Sequence, residues 1–463
     1  MKHIVHIIPE NSSSLDFTLP IFWKNSQLEK PKFKFSVIFF YLNKNAVLKH
    51  SKFYEQVATD AGVVFYDLTD FLLLPVFLKK SIRELYNYSS TDKIFISEPL
   101  NYYKNKSIFW PFLLFKYLTQ NYNLKIIVNT IKIKILNEFA KFILFLSFSF
   151  KRVTEKLNIS TILFDNRGRK NFLASKDFFN TVDNLKIPVV LIPHGAHYRT
   201  PESGYCQFLP NKIALPSYCR HWMPFKYGEP WKNNNTPKDQ FKLVGYPGMD
   251  KDWLSYLKQK KGENKDRLNI LYIIRRYVDR TNPMYKYYDY YIVDKKDVFS
   301  PLEKLINIIK DENIDANIII KPHPKNSIEE LQNDFKSLNY QNIEISSEPI
   351  YKLCLKTDIA ISLHSTILFI PILMGIPTII INNALHEKVV TKWSLLKDVY
   401  NNLSFFINDQ KDLQKIFSKT INLFLSSKED SCDNGIEHVY KYYNINSADY
   451  VLQDLAELHL NVH

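Results

Sequence analysis

Three short apolar runs within residues 318–383 each end in polar residues, and this pattern constrains the fold more than any other feature of the chain. The first run is rich in isoleucine, the second begins at an aspartate, and the third begins at a proline. Their polar ends are Lys321, Pro322, His323 and Pro324, then His364, Ser365 and Thr366, then Asn382 and Asn383. Since ligand sites of open parallel α/β sheets lie beyond the carboxyl ends of the strands, the pattern predicts three strands of such a sheet with a binding site at one edge.

Apolar runs alternate with helical segments through the rest of the chain as well. In the first half the runs cover residues 4–8, 35–41, 63–66, 93–96, 125–128, 161–164 and 189–192, and two further runs follow at 211–215 and 241–244. A second series starts at residues 268–274, after a polar stretch at residues 229–240 that is typical of a linker. The alternation predicts an α/β protein with two Rossmann-like domains, at residues 1–235 and 236–445, and a C-terminal helix at 446–463 that crosses back onto the first domain.

Composition narrows the kinds of site that this fold can carry. The 463 residues include only 10 glycines, and neither a GxGxxG nor a GxxxxGK[ST] motif occurs, which argues against glycine-rich dinucleotide and P-loop sites. A formal net charge of +14 indicates an anionic partner, although a lysine-rich solvated surface explains much of the excess. The basic residues are dispersed and no nucleic-acid-binding motif is evident, so we expect no nucleic-acid partner.

The sequence also predicts a cytoplasmic location. The N-terminus resembles a first strand rather than a signal peptide, and the four cysteines lack metal-ligand spacing, as expected of reduced thiols. No apolar stretch reaches the roughly 20 residues of a membrane-spanning helix. Residues 131–153 are apolar with scattered lysines. They are compatible with peripheral contact to an anionic membrane at its inner face, but a buried crossover helix is favoured.

The polar strand ends of the second half have the chemistry of a phosphate site. His323 can donate to a phosphate oxygen, and Lys321 adds positive potential beside it, while Pro324 stiffens the loop. Ser365 and Thr366 stand where an apolar helix begins, a position that favours anions but is also explained by helix capping alone. Arg275 and Arg276 directly follow the run at 268–274 and would reach the same edge, unless they belong to a solvated loop.

A general base would have to come from the first half of the chain. His194 follows the run at 189–192, Asp165 follows the run at 161–164, and Glu98 follows the run at 93–96. Each type of side chain can accept the proton of an acceptor hydroxyl. The sequence leaves the choice among the three open.

No metal or cofactor is expected. Asp250 and Asp252 have the spacing of a DxD motif, but Lys251 lies between them and a helix begins there, so helix capping is the favoured interpretation.

Short motifs in this chain resemble those of known families. The KPHP and LHST segments, which contain His323, His364, Ser365 and Thr366, resemble the motifs of bacterial GT-B enzymes that use CMP-activated acidic sugars, namely sialyl-, polysialyl- and Kdo-transferases. That resemblance implies donor-phosphate contacts by His323, Ser365 and Thr366, and places Asp165 at the first acidic position of a D/E-D/E-G motif from which Asn166 and Arg167 depart. The PHG segment together with HST is similar to CDP-glycerol phosphotransferases, which implies a catalytic role for His194.

The expected function is therefore that of a metal-independent glycosyltransferase in bacterial capsule or lipopolysaccharide synthesis. The resemblance implies an acceptor-binding first domain and a nucleotide-binding second domain. The donor is expected to be CMP- or CDP-activated, with UDP as the alternative, and the acceptor a glycan or a lipid-linked glycan. The rival interpretations are a CDP-polyol phosphotransferase, a UDP-sugar 2-epimerase and a non-catalytic polyanion-binding protein.

Overall fold

The structure is a computed structural model. It describes residues 1–8, 14–39, 44, 48, 52–75, 79, 149–165, 175–193, 220–224, 238–262, 267–275, 277–278, 293–323, 326, 328–336, 338, 340–363, 365–381, 405–407, 412–425, 440 and 444–460. These residues form two parallel sheets, a two-stranded ribbon and the helices that cover them.

The first sheet contains seven parallel strands within the described residues. They are β1 (Lys2–Ile8), β2 (Phe33–Phe39), β3 (Val64–Asp67), β4 (Ile159–Asp165), β5 (Val189–Ile192), β6 (Arg220–Met223) and β7 (Phe241–Leu243). Their order is β3-β2-β1-β4-β5-β6-β7, and each strand pairs in parallel with its neighbours. The accompanying helices are α1 (Leu15–Ser26), α2 (Lys52–Asp60), α3 (Phe150–Leu157) and α4 (Ser175–Leu185), with a 3-10 turn at Leu68–Phe71.

The second sheet repeats the same winding. Its strands are β8 (Leu268–Ile273), β11 (Ala316–Lys321), β12 (Ile343–Ile345), β13 (Ile359–Leu363), β14 (Thr378–Ile381) and β15 (Phe405–Ile407), in the order β12-β11-β8-β13-β14-β15. The ribbon consists of β9 (Tyr277–Val278) and β10 (Val293–Asp294). The helices are α5 (Lys251–Gln259), α6 (Lys295–Asp311), α7 (Ile328–Lys336), α8 (Ile350–Cys354), α9 (Phe369–Leu373), α10 (Leu413–Leu425) and α11 (Ser447–Leu460), with 3-10 turns at Lys238–Gln240, Pro247–Met249 and Thr366–Leu368.

One apolar core joins the two sheets. It contains Ile8 of β1, Ile273 of β8 and Leu452 of α11, all buried, together with most of the apolar face of α1. Each sheet has one further core on its outer face. In the first domain this core lies beneath α3 and α4, and in the second domain it lies beneath α6 and α10. Each sheet therefore buries both of its faces, as parallel sheets generally do. The apolar core between the sheets holds their inner faces together.

The C-terminal helix α11 crosses back onto the first domain. Its Asp454 carboxylate accepts a hydrogen bond from the Trp222 indole (2.8 Å) and lies 3.2 Å from the Arg220 guanidinium, both on β6. At the start of the helix, the Ala448 amide donates to the Asp250 carboxylate at 2.9 Å. The prediction of two Rossmann-like domains with a helix crossing back is confirmed.

The first sheet extends beyond residue 235, where the sequence placed the domain boundary. Strand β7 pairs with β6 and closes the edge of the first sheet, although it follows the polar linker stretch. The expected strands at residues 93–96, 125–128 and 211–215 lie outside the described residues. Among the described helices, none combines the length and the apolar character needed to cross a membrane.

Candidate functional site

Both sheets reverse their winding direction at their first strand. In the second sheet β8 lies between β11 and β13, and in the first sheet β1 lies between β2 and β4. Successive strands are added first on one side and then on the other, so the connecting chain leaves a crevice at the carboxyl ends of these central strands. This crevice is the natural place for a ligand in each domain.

The carboxyl ends of β11, β8 and β13 bring the predicted donor residues to one edge. Lys321 is the last residue of β11 and pairs with Ile273, the last residue of β8. The Ser362 hydroxyl of β13 donates to the Ile273 carbonyl at 2.8 Å, which fixes the third strand at the same level. Since adjacent strands lie about 4.8 Å apart, the ends of β11 and β13 are about 10 Å apart, with β8 between them.

Three further predicted residues extend from these strand ends. His323 follows β11 by two residues and is partly exposed, and its carbonyl accepts a hydrogen bond from the Asn326 amide at 2.8 Å. Arg275 follows β8 by two residues, and Ser365 follows β13 by two residues; both are partly exposed. Arg276, Pro324 and His364 lie outside the described residues.

The helix expected after Ser365 is shorter than the sequence suggested. Thr366 starts a 3-10 turn of three residues, and the structure does not describe the side chain of Thr366. The five-residue helix α9 follows the turn and ends before Gly375. Gly375 has a φ of +75°, which a helix-terminating glycine readily adopts. So short a helix has a weak dipole. Binding of an anion beyond β13 would therefore depend on the Ser365 hydroxyl and on neighbouring side chains.

Lys321 lies in a confined position at this edge. Its ammonium donates to the Ser347 carbonyl at 3.2 Å, in the loop after β12. Burial lowers the pKa of Lys321 to about 8, because a charged amine loses hydration there, while Asp16 and Glu348 partly oppose the shift. At neutral pH the side chain is therefore mostly charged, with its charge poorly solvated.

Asp16 of the first domain interacts electrostatically with this lysine, and no motif in the sequence marks it. It is the second residue of α1, and its carboxylate accepts a hydrogen bond from the Tyr54 hydroxyl of α2. Burial raises the pKa of Asp16 to about 6, while the hydrogen bond from Tyr54 and the charge of Lys321 limit the rise. An aspartate in the first helical turn is ordinarily explained by the helix dipole, so nothing in the local sequence distinguishes it.

The backbone of Asp16 is fixed by a contact from the second domain. The Tyr351 hydroxyl of α8 lies 3.1 Å from the Asp16 carbonyl and 3.2 Å from the Gly248 carbonyl. A Cβ atom at Gly248 would lie 2.2 Å from that hydroxyl and 2.9 Å from the Asp16 carbonyl. Glycine is therefore required at this position because the backbone of the turn and the Tyr351 ring approach so closely.

The general-base candidates of the first domain are only partly described. Asp165 is the last residue of β4 and pairs with Ile192, the last residue of β5, but its side chain lies outside the description. His194 comes two residues after β5 and, like Glu98, lies outside the described residues. The ends of β4 and β5 are neighbours in the sheet, which places the backbone of Asp165 one strand away from the segment that leads to His194.

The DxD-like pair has the structural role that its position predicted. The Asp250 carboxylate accepts hydrogen bonds from the Asp252 amide at 3.1 Å and the Trp253 amide at 3.3 Å, which caps α5. In the described part of the chain, no group of three or more histidine, cysteine or acidic side chains is arranged to hold a metal ion.

Several solved structures align with this chain at low sequence identity. A UDP-GlcNAc 2-epimerase from Neisseria meningitidis bound to UDP-GlcNAc is 12% identical, with 98% of this chain and 100% of that chain covered and a TM-score of 0.46. MurG from Acinetobacter baumannii is 11% identical (95% and 99% covered, TM-score 0.32), and the wall teichoic acid polymerase TagF is 13% identical (66% and 73% covered, TM-score 0.40).

No protein-family model matches the chain, and the search of curated proteins gives no match. At these identities and TM-scores the structural similarities assign no activity. The strand order and pairing of the chain itself define its fold.

Proposed function

We propose that the protein is a metal-independent glycosyltransferase of the GT-B type that takes its sugar from a nucleotide-activated donor, with CMP or CDP as the favoured nucleotide. One observation supports this most strongly. The carboxyl ends of three adjacent strands, at the point where the second sheet reverses direction, carry Lys321, His323, Arg275 and Ser365. Cationic and hydroxyl side chains at such a point suit an anionic nucleotide phosphate.

The donor phosphate would contact the second domain. When the bond between the anomeric carbon and the phosphate oxygen breaks, negative charge accumulates on the departing nucleotide. The ammonium of Lys321 and the imidazole of His323 would stabilise that charge from β11, and the Ser365 hydroxyl would donate from β13. A lysine with a pKa of about 8 is charged at neutral pH yet weakly hydrated, so little solvent must be displaced when an anion binds.

The acceptor would bind against the first domain. A hydroxyl of a glycan or lipid-linked glycan forms the new bond to the anomeric carbon and gives its proton to a base. His194, Asp165 and Glu98 remain the proposals for that base, of which Asp165 ends a strand beside β5. Use of a lipid-linked acceptor would place the protein in the cytoplasm at the inner face of the membrane, in the synthesis of a bacterial surface polysaccharide.

Nucleotide binding tests the donor site. Isothermal titration calorimetry with CMP, CDP, UDP and a mixed-sequence oligonucleotide should show binding of CMP or CDP by the wild type, and a loss of at least tenfold in affinity in His323→Ala and Lys321→Gln. Lys336→Gln, at the exposed end of α7, is the matched control and should bind as the wild type does. Binding of UDP alone would refute the cytidine preference. Binding of the oligonucleotide alone would refute the proposal that the protein is an enzyme acting on nucleotide-activated sugars.

Turnover separates the remaining alternatives. Release of free nucleotide with formation of a glycosidic bond supports the proposal, whereas CMP release from CDP-glycerol with formation of a phosphodiester indicates a polyol phosphotransferase. Conversion of UDP-N-acetylglucosamine to its 2-epimer without an acceptor indicates an epimerase. Of the variants His194→Ala and Asp165→Asn, the one that replaces the true base should lose turnover and keep the nucleotide affinity of the wild type.

A further inference from the structure

One carboxylate of α7 is bonded to both ends of the two-stranded ribbon. The Tyr277 hydroxyl of β9 donates to Oδ2 of Asp334 at 2.7 Å, and the Lys295 ammonium donates to Oδ1 at 2.6 Å. Lys295 is the first residue of α6 and directly follows β10. Asp334 therefore attaches both strands of the ribbon to α7.

Aromatic packing supports the same attachment. The Phe299 ring of α6 is buried, and its centroid lies 5.5 Å from that of Tyr277 in an edge-on arrangement and 5.0 Å from that of Phe335 in α7. The Lys295 ammonium lies 5.5 Å from the centroid of Phe299. These four residues and Asp334 are called the ribbon clamp below. Each strand of the ribbon has only two residues, so its own pairing is too short to hold it in place.

The segment between β8 and the ribbon clamp carries a residue of the proposed donor site. The Ile274 amide donates to the Lys321 carbonyl at 3.0 Å, which attaches the chain after β8 to the end of β11. Tyr277 is held by the ribbon clamp. Arg275 lies between these two attachments, so its backbone is fixed on both sides.

The same two elements flank His323. Strand β11 ends at Lys321, just before His323, and α7 begins at Ile328, shortly after it. The segment that carries Arg275 is thus attached to β11 on one side and to α7 on the other. The ribbon clamp thereby fixes the backbone of Arg275 relative to that of His323.

We propose that Asp334 is a positioning residue of the donor site: by holding Tyr277 and Lys295, it keeps the segment of Arg275 beside the His323 loop, ready for an anionic nucleotide. The inference rests on the proposed nucleotide site and assigns it a residue that acts through Arg275. A segment that is already ordered loses less conformational entropy when its guanidinium binds a phosphate, so the affinity is higher.

Isothermal titration calorimetry with CMP, CDP and UDP tests the role of Asp334. Asp334→Ala should weaken binding of the nucleotide that the wild type binds by about fivefold, the cost of ordering one long side chain on binding. Asp334→Asn should bind with intermediate affinity, because its amide oxygen can still accept from Tyr277. Glu329→Gln replaces an exposed carboxylate on the same helix and should bind as the wild type does.

A second variant keeps the test independent of how well Asp334→Ala folds. Tyr277→Phe removes only the hydroxyl and keeps the ring that packs on Phe299, and it should weaken binding in the same direction.

A double-mutant cycle separates positioning from a general structural effect. Arg275→Gln alone should weaken binding by about tenfold, because it removes a charged hydrogen-bond donor to the phosphate. Addition of Asp334→Ala to Arg275→Gln should cause no further loss, since the ribbon clamp acts through Arg275. An effect of Asp334 on the stability of the domain alone would lower the Tm and leave the affinity unchanged.

The results distinguish this inference from the proposed function. Wild-type affinity in Asp334→Ala, wild-type affinity in Arg275→Gln, or an equal loss from Asp334→Ala with and without Arg275 would overturn the positioning role and leave the nucleotide site intact. Absence of binding of all three nucleotides by the wild type would instead refute the proposed function.

Discussion

Substitution of Asp16 by asparagine should stabilise the folded protein, and only above a defined pH. An aspartate has an ordinary pKa of 3.8, whereas burial raises that of Asp16 to about 6 in the folded state. A group with a raised pKa contributes stability that is present below pH 3.8 and is lost as the pH rises through about 6. Asparagine has nearly the same shape, keeps an oxygen that accepts from Tyr54, and carries no charge at any pH.

The size of the effect follows from the two pKa values. The difference corresponds to about 3 kcal/mol, since one pH unit equals about 1.4 kcal/mol. This figure already includes the attraction of Lys321, because the value of about 6 applies with that attraction present. For a chain of 463 residues, an unfolding entropy of about 2 cal/mol/K per residue converts 3 kcal/mol into about 3 °C of Tm.

Differential scanning calorimetry from pH 4 to pH 8 measures the effect directly. The Tm of Asp16→Asn should match that of the wild type at pH 4, and should exceed it by about 3 °C at pH 7 and above. Asp60→Asn replaces an exposed carboxylate on α2, and its Tm should stay within one degree of the wild type throughout. A gain of equal size at pH 4 and pH 8, or a lower Tm for Asp16→Asn at pH 8, would refute the assignment of a buried, destabilised carboxylate.

Three further substitutions test neighbouring parts of the structure. Lys321→Met should raise the Tm below pH 8, where the wild-type ammonium is charged but poorly solvated, and should abolish nucleotide binding measured by calorimetry. Gly248→Ala should lower the free energy of unfolding by about 2 kcal/mol or more in urea titrations, because its Cβ would overlap the Tyr351 hydroxyl. Asp454→Ala should cost about 3 kcal/mol and make α11 more susceptible to limited proteolysis, because it leaves the partly buried Arg220 guanidinium without its carboxylate.

Most of the fold could be predicted because the strands that form the two sheet centres are marked by their own side chains. Strands β1, β8, β11 and β13 are buried on both faces and consist largely of β-branched or apolar residues, so each is recognisable without reference to its neighbours. The strands that were not predicted lack such a run of β-branched or apolar residues. For example, β6 reads Arg-His-Trp-Met, and it becomes a strand because its backbone pairs with β5 and its indole and guanidinium meet Asp454.

The domain boundary illustrates the same limit. Strand β7 has three residues and follows a polar stretch, so sequence alone grouped it with the second domain. Its actual position depends on pairing with β6, which no local pattern reveals. Short edge strands are specified by their partners more than by their own residues.

The candidate site divides in the same manner. The position of Lys321, His323 and Ser365 at one edge was predictable, because each lies at or just after the end of a central strand, while their contacts with a donor stay a prediction. Asp16 was not, because its relation to the second domain depends on how α1 packs between the sheets. The contact that fixes its backbone joins residues 335 positions apart, and such contacts become visible only once both domains are assembled.

The packing around Asp16 and Lys321 bears on why an ionisable pair lies there. The core that joins the two sheets contains many apolar side chains, among them Met249, Trp253 and Leu452. Burial favours the neutral forms of both groups, since it raises the pKa of Asp16 to about 6 and lowers that of Lys321 to about 8. Stability alone would therefore favour replacing both residues. A lysine that is charged at neutral pH yet poorly solvated is consistent with the proposed phosphate site, because an anion beside it would offset the cost of burying the ammonium.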